Sequence, residues 1–288
     1  MDDPHVTGLR VDANGIDFYL DTAGPEHGPL LFLLHGFPEI AYGWRHQILA
    51  LANLGYRVVA PDQRGYGLSS KPAGVAAYRL DVLARDVVAL ADALGARTFS
   101  LVGHDWGGIV AWRVASDFAD RVERLTIINA PNLDVALRHM LSHPGQALKS
   151  FYVALFQLPF VPEWVLQSAD HATLAGALRT SSRPGTFSDE EIEVYKAAWS
   201  QPGAMTAMLN WYRALPALPR RSARRIVAPT LIVWGDRDTA LDASLAEDCL
   251  ALCDDGRVHH LPDATHWVHH EQPEAVNGLL ASFLGPAT

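Results

Sequence analysis

The feature that most constrains this chain is a glycine-bracketed acid, Asp105, in the stretch GHDWGG at residues 103–108. Thr98–Val102 is a short apolar run typical of a buried parallel strand, and the residues from Ile109 onward suit a helix. A turn this tight strains its central residue, and glycines flank it because a Cβ there would clash with the returning chain. The sequence therefore predicts a strand–turn–helix unit with a carboxylate at its apex.

This arrangement is that of a nucleophile elbow, normally G-x-S-x-G, with Asp105 at the position of the serine. The N-terminus of the following helix favours negative charge, so we expect an ionised carboxylate at neutral pH. Taken alone, the motif also suits an aspartate that simply caps a helix in a glycine-rich turn. The rest of the chain must decide between these interpretations.

Length and composition exclude several classes of protein. The 288 residues suffice for one large α/β domain or for a domain with an insertion. A formal charge of −9, without a basic stripe, argues against a nucleic-acid partner. The acidic start lacks the apolar core of a signal peptide, and no apolar run is long enough to span a bilayer, so we expect a cytoplasmic protein. Cys249 and Cys253, four residues apart in an expected helix, should be reduced.

Short apolar strands alternate with helices towards both ends of the chain. Strands are predicted at Val6–Val11, Ile16–Asp21, Leu30–Leu34, Tyr56–Ala60, Thr98–Val102, Leu125–Asn129, Thr230–Trp234 and Val258–Leu261. Asn14-Gly15 joins the first two as a hairpin turn. Helices are predicted at Leu80–Leu94, from its apolar spacing, and at Pro273–Leu284. This alternation implies a mostly parallel sheet with helices on both faces.

The alternation fails between about Asn132 and Ala223, where helical segments separated by proline turns contain no convincing strand. Ser188 opens one of these helices with a capping box. Most of the many aromatic side chains in this region should simply pack its helices together. We interpret residues 132–223 as a helical lid inserted between residues 1–131 and 224–288, which form the α/β core.

The residues that follow the strands provide the candidate chemistry, because ligands of an open α/β sheet bind outside the carboxyl ends of its strands. Those strand ends carry His35-Gly36-Phe37, then Asp105-Trp106, then Asp236 and Asp238, and finally His266-Trp267. Each signal is weak alone. Nucleophile, acid and histidine in this chain order are, however, typical of the α/β-hydrolases, and four agreeing strand ends favour a catalytic site.

With HGFPE at 35–39, GHDWGG at 103–108, GDRD at 235–238 and THW at 265–267, the chain resembles the epoxide hydrolases of the α/β-hydrolase superfamily. The resemblance covers nearly the whole chain, lid included. It implies the α/β-hydrolase fold and a reaction that needs neither a metal nor an organic cofactor. It also places Tyr152 and Tyr212 as the lid pair that grips the epoxide oxygen. The NWYR stretch makes the Tyr212 match specific, whereas core packing is the alternative for Tyr152.

The implied mechanism gives each of these residues a role. Asp105 attacks a carbon of an apolar epoxide and forms an ester, while the two lid tyrosines assist the departing oxygen. Water activated by His266, which Asp238 supports, then hydrolyses the ester to a vicinal diol. Backbone N–H groups of Phe37 and Trp106 would form the oxyanion hole. The substrate pocket is expected to be lined by Phe37, Trp106, Phe156, Trp211 and Trp267.

Several alternatives stay open. A haloalkane dehalogenase would share Asp105 and Trp106, and would need a second halide donor such as Trp211 or Trp164. A ligand-binding protein without catalysis could use the same scaffold, whereas an esterase is disfavoured because the elbow lacks serine. Asp236 could replace Asp238 as the partner of the histidine.

Other residues near these motifs are left with less definite roles. Glu39 and His104 resemble supporting positions, and a buried hydrogen-bonding role suits them equally. The pairs His259-His260 and His269-His270 lack a coherent set of metal ligands and receive no function, with His270 expected on a polar loop. Homodimerisation and the identity of the epoxide stay open.

Overall fold

The computed structural model describes residues 5–217 and 224–287, and an eight-stranded sheet lies at its centre. The strands are β1 (Thr7–Ala13), β2 (Ile16–Ala23), β3 (Leu30–Leu34), β4 (Arg57–Pro61), β5 (Phe99–His104), β6 (Val122–Ile128), β7 (Thr230–Gly235) and β8 (Gly256–Leu261). Their spatial order is β1-β2-β4-β3-β5-β6-β7-β8, with β2 antiparallel to both neighbours and all other pairs parallel. The strand order reverses between β3 and β5, which is where a crevice for ligands forms in such sheets.

Helices cover both faces of this sheet and continue into a separate layer. They are α1 (Ile48–Ala52), α2 (Leu80–Ala93), α3 (Trp106–Asp117), α4 (Leu133–Ser142), α5 (Pro144–Lys149), α6 (Phe151–Leu155), α7 (Val161–Ser181), α8 (Asp189–Trp199), α9 (Ala204–Arg213), α10 (Leu245–Leu250), α11 (Val268–Glu271) and α12 (Pro273–Leu284). Short 3₁₀ turns occupy Ala41–Trp44, Val75–Tyr78 and Leu215–Ala217.

Strand β3 shows why the central strands read as continuous apolar runs. Phe32 and Leu34 belong to the hydrophobic cluster that includes residues of α2 and α3. Leu31 and Leu33 point to the opposite face, into the cluster that includes residues of α1 and α12. A strand covered on both faces favours apolar side chains at consecutive positions.

The predicted strands and the helices predicted at Leu80–Leu94, from Ile109 onward and at Pro273–Leu284 are confirmed, with boundaries that shift by a few residues. Asn14 and Gly15 both have positive φ, 48° and 74°, as the tight hairpin between β1 and β2 requires. One expectation was wrong: α10 ends at Leu250, so Cys249 lies in it but Cys253 lies beyond it. Both thiols are free.

The helices α4–α9 lie between β6 and β7, in the segment that we call the cap, and the described residues of this segment contain no strand. The Ser188 capping box is present, with Glu191 as its partner. Helix α7 is interrupted by non-helical backbone at 168–171. The predicted boundary at 223/224 touches residues 218–223, which lie outside the described residues. No helix within the described ranges is both long and apolar enough to cross a membrane.

Candidate active site

Asp105 occupies a strained turn between β5 and α3, with φ 49° and ψ −123°. A Cβ on Gly103 would overlap the carbonyl of Gly107, and a Cβ on Gly107 would overlap the carbonyl oxygen of Leu34. The Asp105 side chain makes no capping bond to α3, which begins at Trp106 and not at Ile109. Its Oδ1 instead accepts the backbone N–H of Phe37 at 2.8 Å. The turn therefore presents the carboxylate to the crevice rather than to its own helix.

His266 lies between two carboxylates. Its Nδ1 is 2.7 Å from Oδ2 of Asp238, and its Nε2 is 3.5 Å from Oδ2 of Asp105. Both His266 and Asp238 are buried, whereas the Asp105 side chain keeps 16% of its surface exposed. The three side chains thus form a continuous acid–imidazole–acid line whose accessible end is Asp105.

Within this line, each charged group stabilises the charged form of its neighbour and so shifts the pKa of that neighbour. Burial alone would lower the pKa of His266, but the Asp238 and Asp105 carboxylates hold that pKa well above its ordinary value. Burial likewise opposes ionisation of Asp238, yet His266 and further hydrogen bonds keep the pKa of Asp238 below its ordinary value. Neutralising Asp105 would therefore lower the pKa of His266, because one of its two stabilising charges would disappear.

Asn129 completes this arrangement, and the sequence analysis missed it. It follows β6 with φ 41°; its Nδ2 donates to Oδ2 of Asp238 at 2.8 Å, and its Oδ1 accepts the N–H of Gly235 at 2.8 Å. The N–H groups of Ala240 and Leu241 donate to the other Asp238 oxygen at 2.8 and 3.0 Å. The signal in the sequence is its position, because Asn129 is a polar residue at the end of the predicted strand Leu125–Asn129, whereas β6 itself ends at Ile128.

Asp236 lies apart from this line. Its Oδ1 contacts Nδ1 of His260 at 2.5 Å, and the same imidazole contacts Glu247 through Nε2 at 2.8 Å. Asp236 therefore pairs with His260 in a half-exposed cluster, and Asp238 is the aspartate that pairs with Nδ1 of His266.

Two tyrosines of the cap lie close enough to Asp105 for its carboxylate to act on the pKa of both phenols. Tyr212 on α9 is buried, and its ring packs edge-on against Trp106 and Phe37, with centroids 5.0 and 5.3 Å away. Tyr152 on α6 is half-buried, and its ring centroid lies 5.9 Å from that of Tyr212. Burial, reinforced by the Asp105 carboxylate, raises the pKa of both phenols. Both side chains are therefore protonated donors at neutral pH.

The aromatic residues predicted to line the pocket divide into two groups. Phe37, Trp106 and Phe156 surround the ring of Tyr212. The indole N–H of Trp211 donates to the carbonyl of Arg64 at 3.0 Å, and that of Trp267 donates to Oγ of Ser181 at 2.8 Å. Trp211 packs against Trp106, and Trp267 packs against His266. The polar edges of these last two side chains are therefore used within the protein.

Glu39 lies at the centre of a second, fully buried network. Its Oε1 accepts the hydroxyl of Tyr195 at 2.9 Å and faces Nε2 of His270 at 2.6 Å. His104 lies 3.3 Å from the other carboxylate oxygen, and its Nε2 donates to the backbone carbonyl of His266 at 2.9 Å. The network thus connects the cap helix α8 to the chain segment that carries His266.

Glu39, His269 and His270 could hold a metal ion by distance, since their ligand atoms lie within 4.8 Å of one another. The guanidinium of Arg45, however, lies 3.1 Å from Nδ1 of His270 and can only donate to it. The proton of neutral His270 is then on Nε2, where it points at Glu39. This pair is hydrogen-bonded, and the expectation of His270 on a polar loop was wrong because α11 is buried beneath the cap.

Comparisons with known proteins match this chain to α/β hydrolases and epoxide hydrolases over nearly its full length. A family model described as the alpha/beta hydrolase fold matches residues 29–273. The chain is 45% identical to the AB hydrolase superfamily protein YfhM of Bacillus subtilis, over 95% of this chain and 96% of that protein. It is 36% identical to epoxide hydrolase 4 of Mus musculus, over 97% of this chain and 79% of the relative. A solved structure of an epoxide hydrolase from metagenomes of hot environments matches with a TM-score of 0.88 at 36% identity, over 98% of this chain and 99% of that one.

Proposed function

The chain belongs to the epoxide hydrolases of the α/β-hydrolase superfamily, and we propose that it converts an apolar epoxide to a vicinal diol through an ester on Asp105. The observation that carries the proposal is a packing contact: the ring of Tyr212 packs against Phe37, whose N–H the Asp105 carboxylate accepts, and against Trp106, and the ring of Tyr152 packs against that of Tyr212. An epoxide needs a nucleophile at carbon and a proton donor at oxygen at the same moment.

In the first step, Oδ2 of Asp105 is the attacking atom. Oδ1 already accepts the N–H of Phe37, so it occupies the position that the carbonyl oxygen of the ester needs. As the new carbon–oxygen bond forms, the ring bond breaks and its electron pair moves to the epoxide oxygen. That oxygen takes a proton from Tyr152 or Tyr212, and the resulting phenolate recovers a proton from the His266 imidazolium.

In the second step, neutral His266 takes a proton from water through Nε2, and the hydroxide attacks the ester carbon. Asp238 stabilises the imidazolium that forms. The N–H groups of Phe37 and Trp106 stabilise the oxyanion; Trp106 opens α3, where backbone donors have no partner within the helix. Collapse expels the diol oxygen, which takes the proton of the added hydroxyl, so Asp105 returns ionised and His266 protonated.

Halide is a poorer match than an epoxide oxygen for the leaving group. The two indoles considered as a second halide donor are placed elsewhere, because Trp211 donates to Arg64 and Trp164 is 73% exposed. A ligand-binding protein without catalysis would not need the buried pairing of His266 with Asp238. We also propose a cytoplasmic location and, from the net charge of −9, no nucleic-acid partner.

Trapping the ester tests the proposal. We expect His266→Gln to open the epoxide but stall, so intact mass spectrometry shows a gain of one substrate mass that digestion locates on Asp105. In a single turnover of the parent protein in ¹⁸O-water, the new diol oxygen should come from Asp105 and carry no label. Rates on aryl, alkyl and fatty epoxides beside bromoalkanes identify the preferred leaving group.

His260→Gln is the matched control, because His260 also faces an aspartate at the same edge of the sheet. It should turn over like the parent. An adduct on another residue, full turnover without His266, or bromoalkanes that react faster than every epoxide would each contradict the proposal.

A further inference from the structure

Helix α6 carries Tyr152 but is too short and too exposed to hold that side chain in place by itself. It has five residues, Phe151–Leu155, and each of them is exposed or half-buried. A helix of this length is unstable in water on its own, so in a protein it depends on packing and on bonds to its neighbours. The position of Tyr152 is therefore set from outside α6.

The end of α9 provides these bonds. The side-chain amide of Gln157, just after α6, donates to the carbonyl of Tyr212 at 3.0 Å. Arg213 reaches in the opposite direction, where its Nε donates to the carbonyl of Phe156 at 3.0 Å and its Nη2 to that of Leu158 at 2.7 Å. Carbonyls at and beyond the end of a helix have no partner within it, so a cation there satisfies them and complements the helix dipole. Two neighbouring residues of α9 thus hold the C-terminal end of α6.

The guanidinium of Arg213 is itself oriented by Glu163, in the first turn of α7. Its Nη1 and Nη2 donate to the two carboxylate oxygens of Glu163 at 2.6 and 2.9 Å, and the two side chains are only 13% and 15% exposed. Burial opposes ionisation of Glu163, but hydrogen bonds from Arg213 hold the pKa of this carboxyl below its ordinary value. A planar contact with two parallel bonds fixes the direction of the guanidinium as well as binding it.

Arg213 therefore spans the connection between α6 and α7, because it binds carbonyls before this connection and a carboxylate after it. Phe160, which immediately precedes α7, has φ 62°, a conformation that favours glycine, so the surrounding contacts hold the connection against strain. The ring of Tyr212, the residue before Arg213, packs against those of Tyr152 and Phe156, with centroids 5.9 and 5.0 Å away. The contacts of Arg213 thus hold together the two segments that carry the cap tyrosines.

We propose that Arg213, oriented by Glu163, is a positioning residue for ring opening, because it holds the phenol of Tyr152 beside Tyr212. It acts through Tyr152 and does not touch the reacting atoms. This inference rests on the proposed function, in which the two phenols donate to the epoxide oxygen. Ring opening uses the phenols and should depend on Arg213, whereas hydrolysis of the ester uses His266 and should not.

Arg213→Lys tests this distinction, because lysine keeps the charge but cannot bind two carbonyls and a carboxylate in one plane. Rapid-quench mass spectrometry of single turnovers gives the rates at which the Asp105 adduct forms and decays. We expect formation to slow about tenfold, since a displaced group donates poorly in the transition state, while decay keeps its parental rate. Glu163→Gln should give the same difference between the two steps with a smaller effect, because its amide retains one acceptor.

Arg179→Lys is the matched control. Arg179 also lies on α7 and ties it to another cap helix, because it pairs with Asp189 of α8. Its formation and decay rates should both equal those of the parent.

A double-mutant cycle distinguishes positioning from a general loosening of the cap. In a Tyr152→Phe background, Arg213→Lys should slow adduct formation by less than about twofold, because the hydroxyl that it positions is already absent. In a Tyr212→Phe background the effect should persist, since Tyr152 is then the remaining donor. A loosened cap would instead slow formation equally in both backgrounds.

Hydrogen exchange measures the same attachment without any turnover. Arg213→Lys loses bonds that hold the end of α6, so the amides of residues 151–158 should exchange about tenfold faster. Peptides from α8 should keep their parental exchange rates. Thermal unfolding verifies that each variant folds.

The proposal is overturned if folded Arg213→Lys forms the adduct at the parental rate, or if it slows formation and decay alike. It is also overturned if Tyr152→Phe leaves the effect of Arg213→Lys undiminished, or if exchange in residues 151–158 is unchanged. Failure of the proposed function has a different signature, because the parent itself then forms no adduct on Asp105 with any epoxide, and the positioning role falls with it.

Discussion

Asp238→Asn removes one charge from the line of Asp105, His266 and Asp238 while changing its shape little. The carboxylate lies 2.7 Å from Nδ1 of His266 and accepts Asn129 at 2.8 Å. An asparagine is nearly isosteric, so the fold should persist. What disappears is the negative charge that stabilises an imidazolium in a buried site.

The size of the effect follows from that distance. An opposite charge this close shifts a pKa by about 1–3 units, and each unit is worth ~1.4 kcal/mol. The imidazolium that forms as water is deprotonated therefore loses about 1.4–4 kcal/mol. Hydrolysis of the ester should slow by about 10- to 10³-fold. If the asparagine also stabilises the wrong tautomer of His266, the loss approaches ~10⁴-fold. Alkylation of Asp105 should change far less, because it uses the Asp105 carboxylate and the cap phenols.

The pH dependence has a definite sign. Hydrolysis needs neutral His266, so its rate falls as the pH drops through the pKa of this histidine in the ester. That pKa lies below its value in the free enzyme, because the esterified Asp105 no longer carries a charge. Removing the Asp238 charge lowers it again. The acidic limb of the hydrolysis profile should therefore move to lower pH by about 1–3 units, while the plateau rate decreases.

Stopped-flow tryptophan fluorescence separates the two steps, because Trp106 lies directly beside Asp105 in the chain and reports on its alkylation. Single turnovers across the pH range give alkylation and hydrolysis rates for the parent and for Asp238→Asn. Asp236→Asn is the control and should resemble the parent. The reasoning fails if Asp238→Asn slows alkylation as much as hydrolysis, or if the acidic limb stays in place.

Three further predictions test other parts of the structure. Tyr152→Phe/Tyr212→Phe should slow alkylation by about 10²–10³-fold or more, with smaller single effects, in the same stopped-flow assay; parental alkylation by the double variant would remove the phenols from the mechanism. Asn129→Ala should slow hydrolysis more than alkylation, because Asp238 loses a buried donor, and equal slowing would contradict a positioning role. Gly107→Ala should lower the free energy of unfolding by about 1–3 kcal/mol in urea, since its Cβ would overlap the Leu34 carbonyl. Gly278→Ala on the open side of α12 should be neutral or stabilising by up to ~1 kcal/mol, and equal effects of the two changes would refute the overlap.

Most of the core could be predicted from the sequence because its signals are local. Strands such as β3 are buried on both faces, so their apolar runs stand out and their ends can be located to within a few residues. Parallel strands then bring their carboxyl ends to one edge, which places Asp105, Asp238 and His266 near one another without knowledge of any contact. Chain order and sheet topology therefore sufficed to assemble these three residues.

Contacts made by the cap could not be predicted in the same way. The burial of Glu39 and His270 depends on Tyr195 of α8. This residue lies more than 150 positions after Glu39 in the chain. From the sequence alone, the histidine pair His269-His270 followed by Glu271 predicts an exposed polar segment, because the helix that covers it is not known. Asn129 was missed for a related reason, because only the position of Asp238 in space distinguishes it from an ordinary strand terminus.

The cap also decides which chemistry the shared core serves. Asp105, His266 and Asp238 suit any leaving group that a carboxylate can displace, so they do not distinguish halide from alkoxide. The distinction lies in which cap donors face the carboxylate. Helix α9 turns the Trp211 indole towards the Arg64 carbonyl and the neighbouring Tyr212 ring towards Trp106 and Phe37. Adjacent residues of a helix point in different directions. A single rotation of α9 about its own axis therefore places the Trp211 indole in the core and the Tyr212 phenol at the crevice. That rotation favours a leaving group that needs a proton over one that leaves as a stable anion.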